Sequence, residues 1–161
     1  MHRFAMLAVA ICLLSFGETE AASRRVPSQF ATLGAAVAAS SSGDTIWVAA
    51  GTYTGAGNKN INVTVNLVIF GEQGPELTVL DAQGSGTILT INNGSTIIST
   101  IVSGFTFRGA NTTAMVVTNS SPLITWCIFA DNSGGTGGGF FGNGFGGAIT
   151  GCTFTGNTAV A

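Results

Sequence analysis

The chain has 161 residues, of which 45% are hydrophobic and only 7% charged, and its formal net charge is −2. Five Lys and Arg residues cannot form a basic surface for nucleic acid. The composition also excludes intrinsic disorder, which needs high charge and low hydrophobicity, and a helical bundle, whose outer faces Lys, Glu and Arg normally cover. It favours a β-rich protein with a surface of Ser, Thr, Asn and Gly.

The N-terminal segment is typical of a secretory signal peptide. A short basic start precedes an apolar run over residues 4–16, too short to span a bilayer, and the small residues Ala21 and Ala22 follow. We expect residues 1–22 to be cleaved after Ala21 or Ala22, leaving a secreted or cell-surface chain without a transmembrane span. Cleavage removes the only histidine, His2, and with it any triad that needs a histidine base.

The mature chain begins with elements that precede the β-rich part. Residues 23–28 have the composition of a short linker. A helix is predicted over residues 29–39, because Phe30, Leu33 and Val37 fall on one helical face. From residue 44 onward, short β-branched and aromatic runs alternate with Gly, Asn and Ser turns.

An internal repeat specifies the β architecture. Three apolar columns recur at spacings of 22 and 25 residues: Phe107, Phe129 and Phe154; Phe105, Cys127 and Cys152; Val102, Ile124 and Ile149. Such a register is typical of a solenoid, in which each coil places the same side chain above its predecessor. An Asn closes each copy, which predicts a ladder of Asn111, Asn132 and Asn157.

We therefore predict an all-β fold over residues 29–161, a right-handed single-stranded parallel β-helix of about five to six coils. The N-terminal helix is expected to cap its first coil. Because neither a helix nor a polar coil follows Asn157, the domain is expected to be incomplete at its C-terminus or to associate end to end.

The motifs resemble a known family. Residues 43–46 (GDTI) and 51–53 (GTY) are similar to the opening of pectin-lyase-like β-helix proteins. Residues 146–149 (GGAI) and 154–157 (FTGN) resemble the paired repeats of polymorphic outer membrane proteins. The resemblance implies the fold far more than an activity, because this scaffold carries lyases, hydrolases, adhesins and inert stalks.

The few charged residues do not reproduce the catalytic groups of the family's enzymes. Pectate lyases cluster carboxylates around calcium, and polygalacturonases use a trio of Asp with a nearby His, whereas the carboxylates here are scattered. Arg108 and Asp131, about one coil apart, are weak catalytic candidates, and a surface ion pair between them is the simpler interpretation. Asp44 and Asp81 fit turn positions. We expect no metal site and no cofactor.

Aromatic residues give the candidate binding groups. The glycine-rich residues 134–147 are interpreted as a flexible excursion between coils that carries Phe140, Phe141 and Phe145. These rings are expected either to form a patch for sugar rings or a partner, or to fold back onto the solenoid. For Trp47 and Trp126, packing is preferred to ligand stacking.

Two further residue sets leave alternatives open. Cys127 and Cys152 share one column, where a pair of thiols is favoured over a disulfide because stacked side chains point the same way. Four Asn-x-Ser/Thr sequons are glycosylation candidates in a eukaryotic host: Asn62, Asn93, Asn111 and Asn119.

The sequence therefore predicts a non-catalytic secreted or cell-surface module that is adhesive or contacts carbohydrate. Its expected partners are a polysaccharide, a glycan or another surface molecule. The alternative is the N-terminal part of a polysaccharide lyase or glycoside hydrolase of the same fold, with the catalytic coils elsewhere.

Overall fold

A computed structural model describes residues 20–159. Most of the predicted signal peptide, residues 1–19, lies outside this range. Within residues 20–159, one short α-helix, α1 (Leu33–Ala38), and one 3-10 turn (Ala56–Asn58) accompany the strands. The strands form three long parallel sheets, which we call A, B and C, and one short pair.

Each sheet contains one strand from each successive coil. The strands of sheet A are β1 (Ser23–Val26), β2 (Thr45–Val48), β5 (Val68–Gly71), β8 (Ile101–Ser103), β11 (Leu123–Thr125) and β15 (Ala148–Thr150). The strands of sheet B are β3 (Gly51–Tyr53), β6 (Thr78–Asp81), β9 (Thr106–Arg108), β12 (Ile128–Ala130) and β16 (Thr153–Thr155). The strands of sheet C are β4 (Ile61–Val63), β7 (Leu89–Ile91), β10 (Met115–Ser120) and β14 (Phe140–Phe145). The short pair is β13 (Ser133–Gly134) with β17 (Thr158–Ala159).

The chain passes from sheet A to sheet B to sheet C and then begins the next coil. All strand pairs in the described part of the chain are parallel and join neighbouring coils, as in β2 with β5 and β5 with β8. The predicted parallel β-solenoid is confirmed. Its core is a set of inward rows, one residue per coil, so that each layer buries the layer before it.

The aromatic column predicted from the repeat runs through sheet B. Phe107 pairs in register with Phe129, and Phe129 with Phe154. The ring centroids are 5.1 Å and 4.7 Å apart, with nearly parallel planes. Phe107 and Phe129 are fully buried, whereas Phe154 in the last described coil is 49% exposed. The column is therefore confirmed, but its last ring is only half covered.

The asparagine ladder forms over two coils rather than three. Asn132 Nδ2 donates to Asn157 Oδ1 at 2.9 Å, and Asn132 Oδ1 accepts from the Ala110 amide at 3.0 Å. Asn111 is exposed and instead accepts from the Gly86 amide of the preceding coil. The extra residue before Asn111 moves its side chain out of the row, so the prediction for Asn111 is wrong.

The first coil is covered by α1 and by an ion pair. Leu33, Ala36 and Val37 of α1 are buried, and Thr32 Oγ1 caps the helix by accepting from the Ala35 amide. The helix is shorter than the predicted 29–39. It begins after Thr32 because the preceding residues connect it to β1.

Strand β1 occupies most of residues 23–28, the predicted linker. It pairs with β2 in register, which places Arg24 beside Ile46 in the inward row. Arg24 reaches Asp44 at 2.7 Å and lies over the Phe30 ring. Arg24 can occupy the inward row because this row ends the core and because Asp44 neutralises the guanidinium. As a result, β1 lacks the alternating apolar pattern of a core strand.

Candidate functional site

Trp126 is the most exposed aromatic side chain among residues 20–159, with 69% of its surface accessible. It follows β11 at the corner between sheets A and B. Strand pairing aligns Ser103, Thr125 and Thr150, so the corner position that follows is Gly104, Trp126 and Gly151 in three successive coils.

The corner requires a left-handed backbone. Gly104, Trp126 and Gly151 have φ values of 80°, 51° and 60°. Glycine adopts these angles without strain because it lacks a Cβ atom. A tryptophan at such a φ is a conformational outlier whose strain costs roughly 1–3 kcal/mol. Hydrogen bonds on both sides hold it there, from the Trp126 amide to Thr150 O and from the Gly104 amide to Trp126 O.

The indole has one covered face and one open face. A Cβ placed on Gly151 would lie 3.5 Å from indole Cδ2 and 3.6 Å from Cε2, so the ring lies against this glycine. Thr125 and Thr150 precede Trp126 and Gly151 in the chain, and their hydroxyls are joined at 3.1 Å. The result is an aromatic platform bordered by hydroxyl groups, which we call the Trp126 platform.

The exposure of Trp126 excludes the core packing that was one expectation for it, whereas the packing expected for Trp47 is confirmed. Trp47 stacks on Phe70 with ring centroids 5.3 Å apart, and its Nε1 donates to Ser23 Oγ. Trp126 has no comparable packing because the residues above and below it in its column are glycines. The alignment of the repeats already places Trp126 between Gly104 and Gly151, a signal that periodicity of apolar residues does not use.

The candidate phenylalanines lie on a regular strand rather than on a flexible excursion. Residues 140–145 form β14, which pairs in parallel with β10. Phe140 and Phe145 pack against the core and meet edge to face with centroids 5.3 Å apart. The expectation of a flexible excursion is therefore wrong, because this segment supplies the strand of sheet C for its coil. Phe141 is half-buried in β14, in register with Val116.

Of the two weak catalytic candidates, Arg108 and Asp131, Arg108 pairs with Asp81 instead. Arg108 Nε donates to Asp81 Oδ2 at 2.9 Å, and strand register places these residues side by side. Asp81 also accepts from the Gln83 amide, which confirms its turn position. Asp131 is exposed at a corner and has a φ of 53°. It follows Ala130, the residue that pairs with Arg108 on the adjacent strand. The expected ion pair between Arg108 and Asp131 is replaced by Arg108 with Asp81.

Asp44 is held as a turn carboxylate, as predicted. It accepts from the Ser41 amide at 2.9 Å and the Ala22 amide at 2.7 Å, and it pairs with Arg24. The Ser41 and Ala22 amides, together with Arg24, lower the pKa of Asp44 below its ordinary value. This carboxylate is buried and committed to the cap, so its geometry favours structure over chemistry.

The four sequon asparagines differ in accessibility. Asn62, Asn111 and Asn119 are exposed. Asn93 is half-buried, and its Nδ2 donates to Asn66 Oδ1 at 3.0 Å and Thr100 Oγ1 at 2.7 Å. A glycan on Asn93 would have to displace both hydrogen bonds.

Two grooves lie away from the Trp126 platform. One, of about 310 Å³, lies between α1 and β4 and includes Lys59, whose ammonium group donates to Ala82 O and Ser85 Oγ. The other, of about 430 Å³, is lined by small polar residues and glycines around Ser120. Within residues 20–159, no three His, Cys, Asp or Glu side chains gather where they could share a metal ion.

Comparisons with known proteins give no match for this chain. No protein-family model, curated protein or solved structure matches the chain. Across residues 20–159, no helix combines the length and apolar character needed to cross a bilayer.

Proposed function

We propose that this chain is a secreted or cell-surface β-helix of the pectin-lyase-like type that contacts carbohydrate through the Trp126 platform and does not cleave it. The observation that carries this proposal is a 69% exposed tryptophan at a backbone position where the neighbouring coils have glycine. Backbone strain of this kind is concentrated at functional sites, where it positions a side chain.

Trp126 is an unfavourable residue for this corner of the fold. The strained φ opposes folding, and the exposed indole contributes little burial free energy to offset it; a glycine at this corner would avoid the strain. The ring lies against Gly151, which keeps its outer face open instead of burying it. A ligand that covers this open face would recover the apolar surface that the fold leaves exposed.

The chemistry of the surroundings suggests the ligand class. The face of an aromatic ring carries partial negative charge, so it attracts the C–H groups on the face of a sugar ring. The hydroxyls of Thr125 and Thr150 adjoin the platform and can both donate and accept hydrogen bonds. The partners of this surface are therefore neutral sugar units of a polysaccharide or glycan.

The test is binding to immobilised polysaccharides by the wild type and three variants. Trp126→Ala is expected to weaken binding of neutral glycans about tenfold or more, because stacking is lost. The matched control is Leu77→Ala, which removes another exposed apolar side chain, 57% accessible, elsewhere on the surface. Phe141→Ala tests the aromatic candidate on β14.

Three outcomes would contradict the proposal. The carbohydrate assignment fails if the wild type binds no neutral polysaccharide or glycan. The platform assignment fails if Leu77→Ala weakens binding as much as Trp126→Ala. It also fails if Phe141→Ala abolishes binding while Trp126→Ala retains it, a result that would move the site to β14.

Export is the second part of the proposal, and the structure near Ala22 bears on the cleavage site. The Ala22 amide donates to Asp44, and Ala22 O accepts from the Thr45 amide at 2.9 Å. Cleavage after Ala21 retains both bonds and places a charged amino group beside the carboxylate, whereas cleavage after Ala22 removes both. N-terminal sequencing of the exported chain is expected to begin at Ala22. A chain that begins at Ser23, or one that stays unprocessed inside the cell, would contradict this part.

A further inference from the structure

Cys127 and Cys152 occupy equivalent positions in adjacent coils. The pairing of Ile128 with Thr153 places the two cysteines next to each other at the corner between sheets A and B. Adjacent parallel strands are about 4.8 Å apart, which lies within the Cα separation that a disulfide accepts. The corresponding residue one coil earlier, Phe105, is fully buried, so the column faces inward.

The two thiols differ in access to solvent. Cys127 is 1% exposed, whereas Cys152 is half-buried in the last described coil. Cys127 Sγ approaches Thr125 O at 3.3 Å, and Cys152 Sγ approaches Thr150 O at 3.5 Å. Reagents from solvent therefore reach Cys152 first.

The different surroundings of the two thiols also separate their pKa values. The neighbouring Cys152 and burial raise the pKa of Cys127, whereas the neighbouring Cys127 lowers the pKa of Cys152. The more accessible Cys152 therefore ionises before the buried Cys127. The thiolate is the nucleophilic form of cysteine.

We propose that Cys127 and Cys152 form a redox modification site that is converted to an intercoil disulfide by an external disulfide such as oxidised glutathione. This inference is independent of the Trp126 platform and of carbohydrate binding. It rests on the register, the spacing of adjacent coils and the difference in exposure of the two thiols.

The reaction proceeds by thiol–disulfide exchange in two steps. The Cys152 thiolate attacks one sulfur of the external disulfide, whose S–S bond breaks and releases one thiolate that takes a proton from water. Cys127 then loses its proton to water and attacks the Cys152 sulfur, which expels the second external thiol. Two protein thiols are oxidised, and one external disulfide is reduced to two thiols.

The test uses the chain in a Cys12→Ser background, so that only Cys127 and Cys152 carry thiols. The reduced protein is treated with oxidised glutathione and followed by intact mass. The expected product has lost two hydrogen atoms and carries no glutathione. The Cys127→Ser variant is expected to stop as a glutathione adduct on Cys152, and the Cys152→Ser variant to react about tenfold more slowly.

Several results would overturn the assignment. One is an unreacted wild type, and another is a wild type that accumulates the glutathione adduct without closing the intercoil bond. Equal reaction rates for Cys127→Ser and Cys152→Ser would exclude Cys152 as the attacking thiol. Circular dichroism of each variant confirms that the comparison is made between folded proteins.

Discussion

Replacing Phe129 with alanine tests whether the stacked column stabilises the solenoid. Phe129 is fully buried between two rings, with centroids 5.1 Å and 4.7 Å away. A Phe→Ala change in a core costs about 3–5 kcal/mol, and the loss of two aromatic stacks places Phe129→Ala in the upper part of this range. Phe154 is 49% exposed and has one stacked neighbour, so Phe154→Ala is expected to cost about 1–2 kcal/mol.

The assay is urea denaturation followed by far-UV circular dichroism, with both variants compared with the wild type. For a denaturant slope of about 2 kcal/mol per molar, Phe129→Ala lowers the midpoint by about 2 M and Phe154→Ala by less than about 1 M. Equal shifts for the two variants would refute the reasoning, because they would mean that position within the stack does not determine the cost. A shift below about 0.5 M for Phe129→Ala would do the same.

Three other perturbations probe the corner, the cap and the chemistry. Trp126→Gly is expected to be about 1 kcal/mol more stable than Trp126→Ala in urea denaturation, because only glycine adopts φ 51° without strain; equal stabilities would contradict the strain. Asp44→Asn is expected to lose about 2 kcal/mol at neutral pH. Folding lowers the pKa of Asp44, so the contribution of this carboxylate to the free energy of unfolding is complete above the ordinary pKa of 3.8 and disappears as pH falls through the folded pKa. The stabilities of the wild type and Asp44→Asn should therefore converge in acid. A stability difference that stays the same at every pH would exclude the carboxylate as the cause. The chain is expected to leave polygalacturonate intact with or without calcium, and the formation of unsaturated or reducing ends that Arg108→Ala or Asp131→Ala abolishes would favour an enzyme instead.

The inward rows of the second half were predictable from the sequence. Phe107, Phe129 and Phe154 hold one register because each coil must bury the layer before it, and this register gives all three apolar columns the same two spacings in the sequence, 22 and 25 residues. Asp44 and Asp81 were recognisable as turn residues because carboxylates that accept local amide bonds recur at turns.

The first coil and the glycine-rich strand β14 were harder to predict from the sequence. Arg24 replaces an apolar residue in the inward row because Asp44 neutralises it at the end of the core, so β1 lacks the usual alternation. In β14, the sequence FFGNGF gives little side-chain evidence of a strand, yet its backbone completes the parallel ladder with β10. Backbone pairing that a neighbouring strand imposes leaves a weak local signature.

The candidate site was missed because the prediction relied on apolar periodicity. Trp126 belongs to a corner column whose shared property is a left-handed backbone, not hydrophobicity. An alignment of the residues that lie between the apolar columns places Trp126 between Gly104 and Gly151 of the neighbouring coils. Its exposure, however, depends on the ring lying against Gly151, which only the three-dimensional packing gives.

The fluorescence of Trp126 during glycan binding tests the central proposal most directly. In a Trp47→Phe variant, Trp126 is the only tryptophan of the chain, and the replaced side chain keeps an aromatic ring against Phe70. We predict that a bound neutral oligosaccharide shifts the emission to shorter wavelength and protects the indole from acrylamide quenching, with both changes saturating at the affinity measured by direct binding. Saturable binding that leaves the emission and the quenching of Trp126 unchanged would contradict the proposal that this ring is the contact surface.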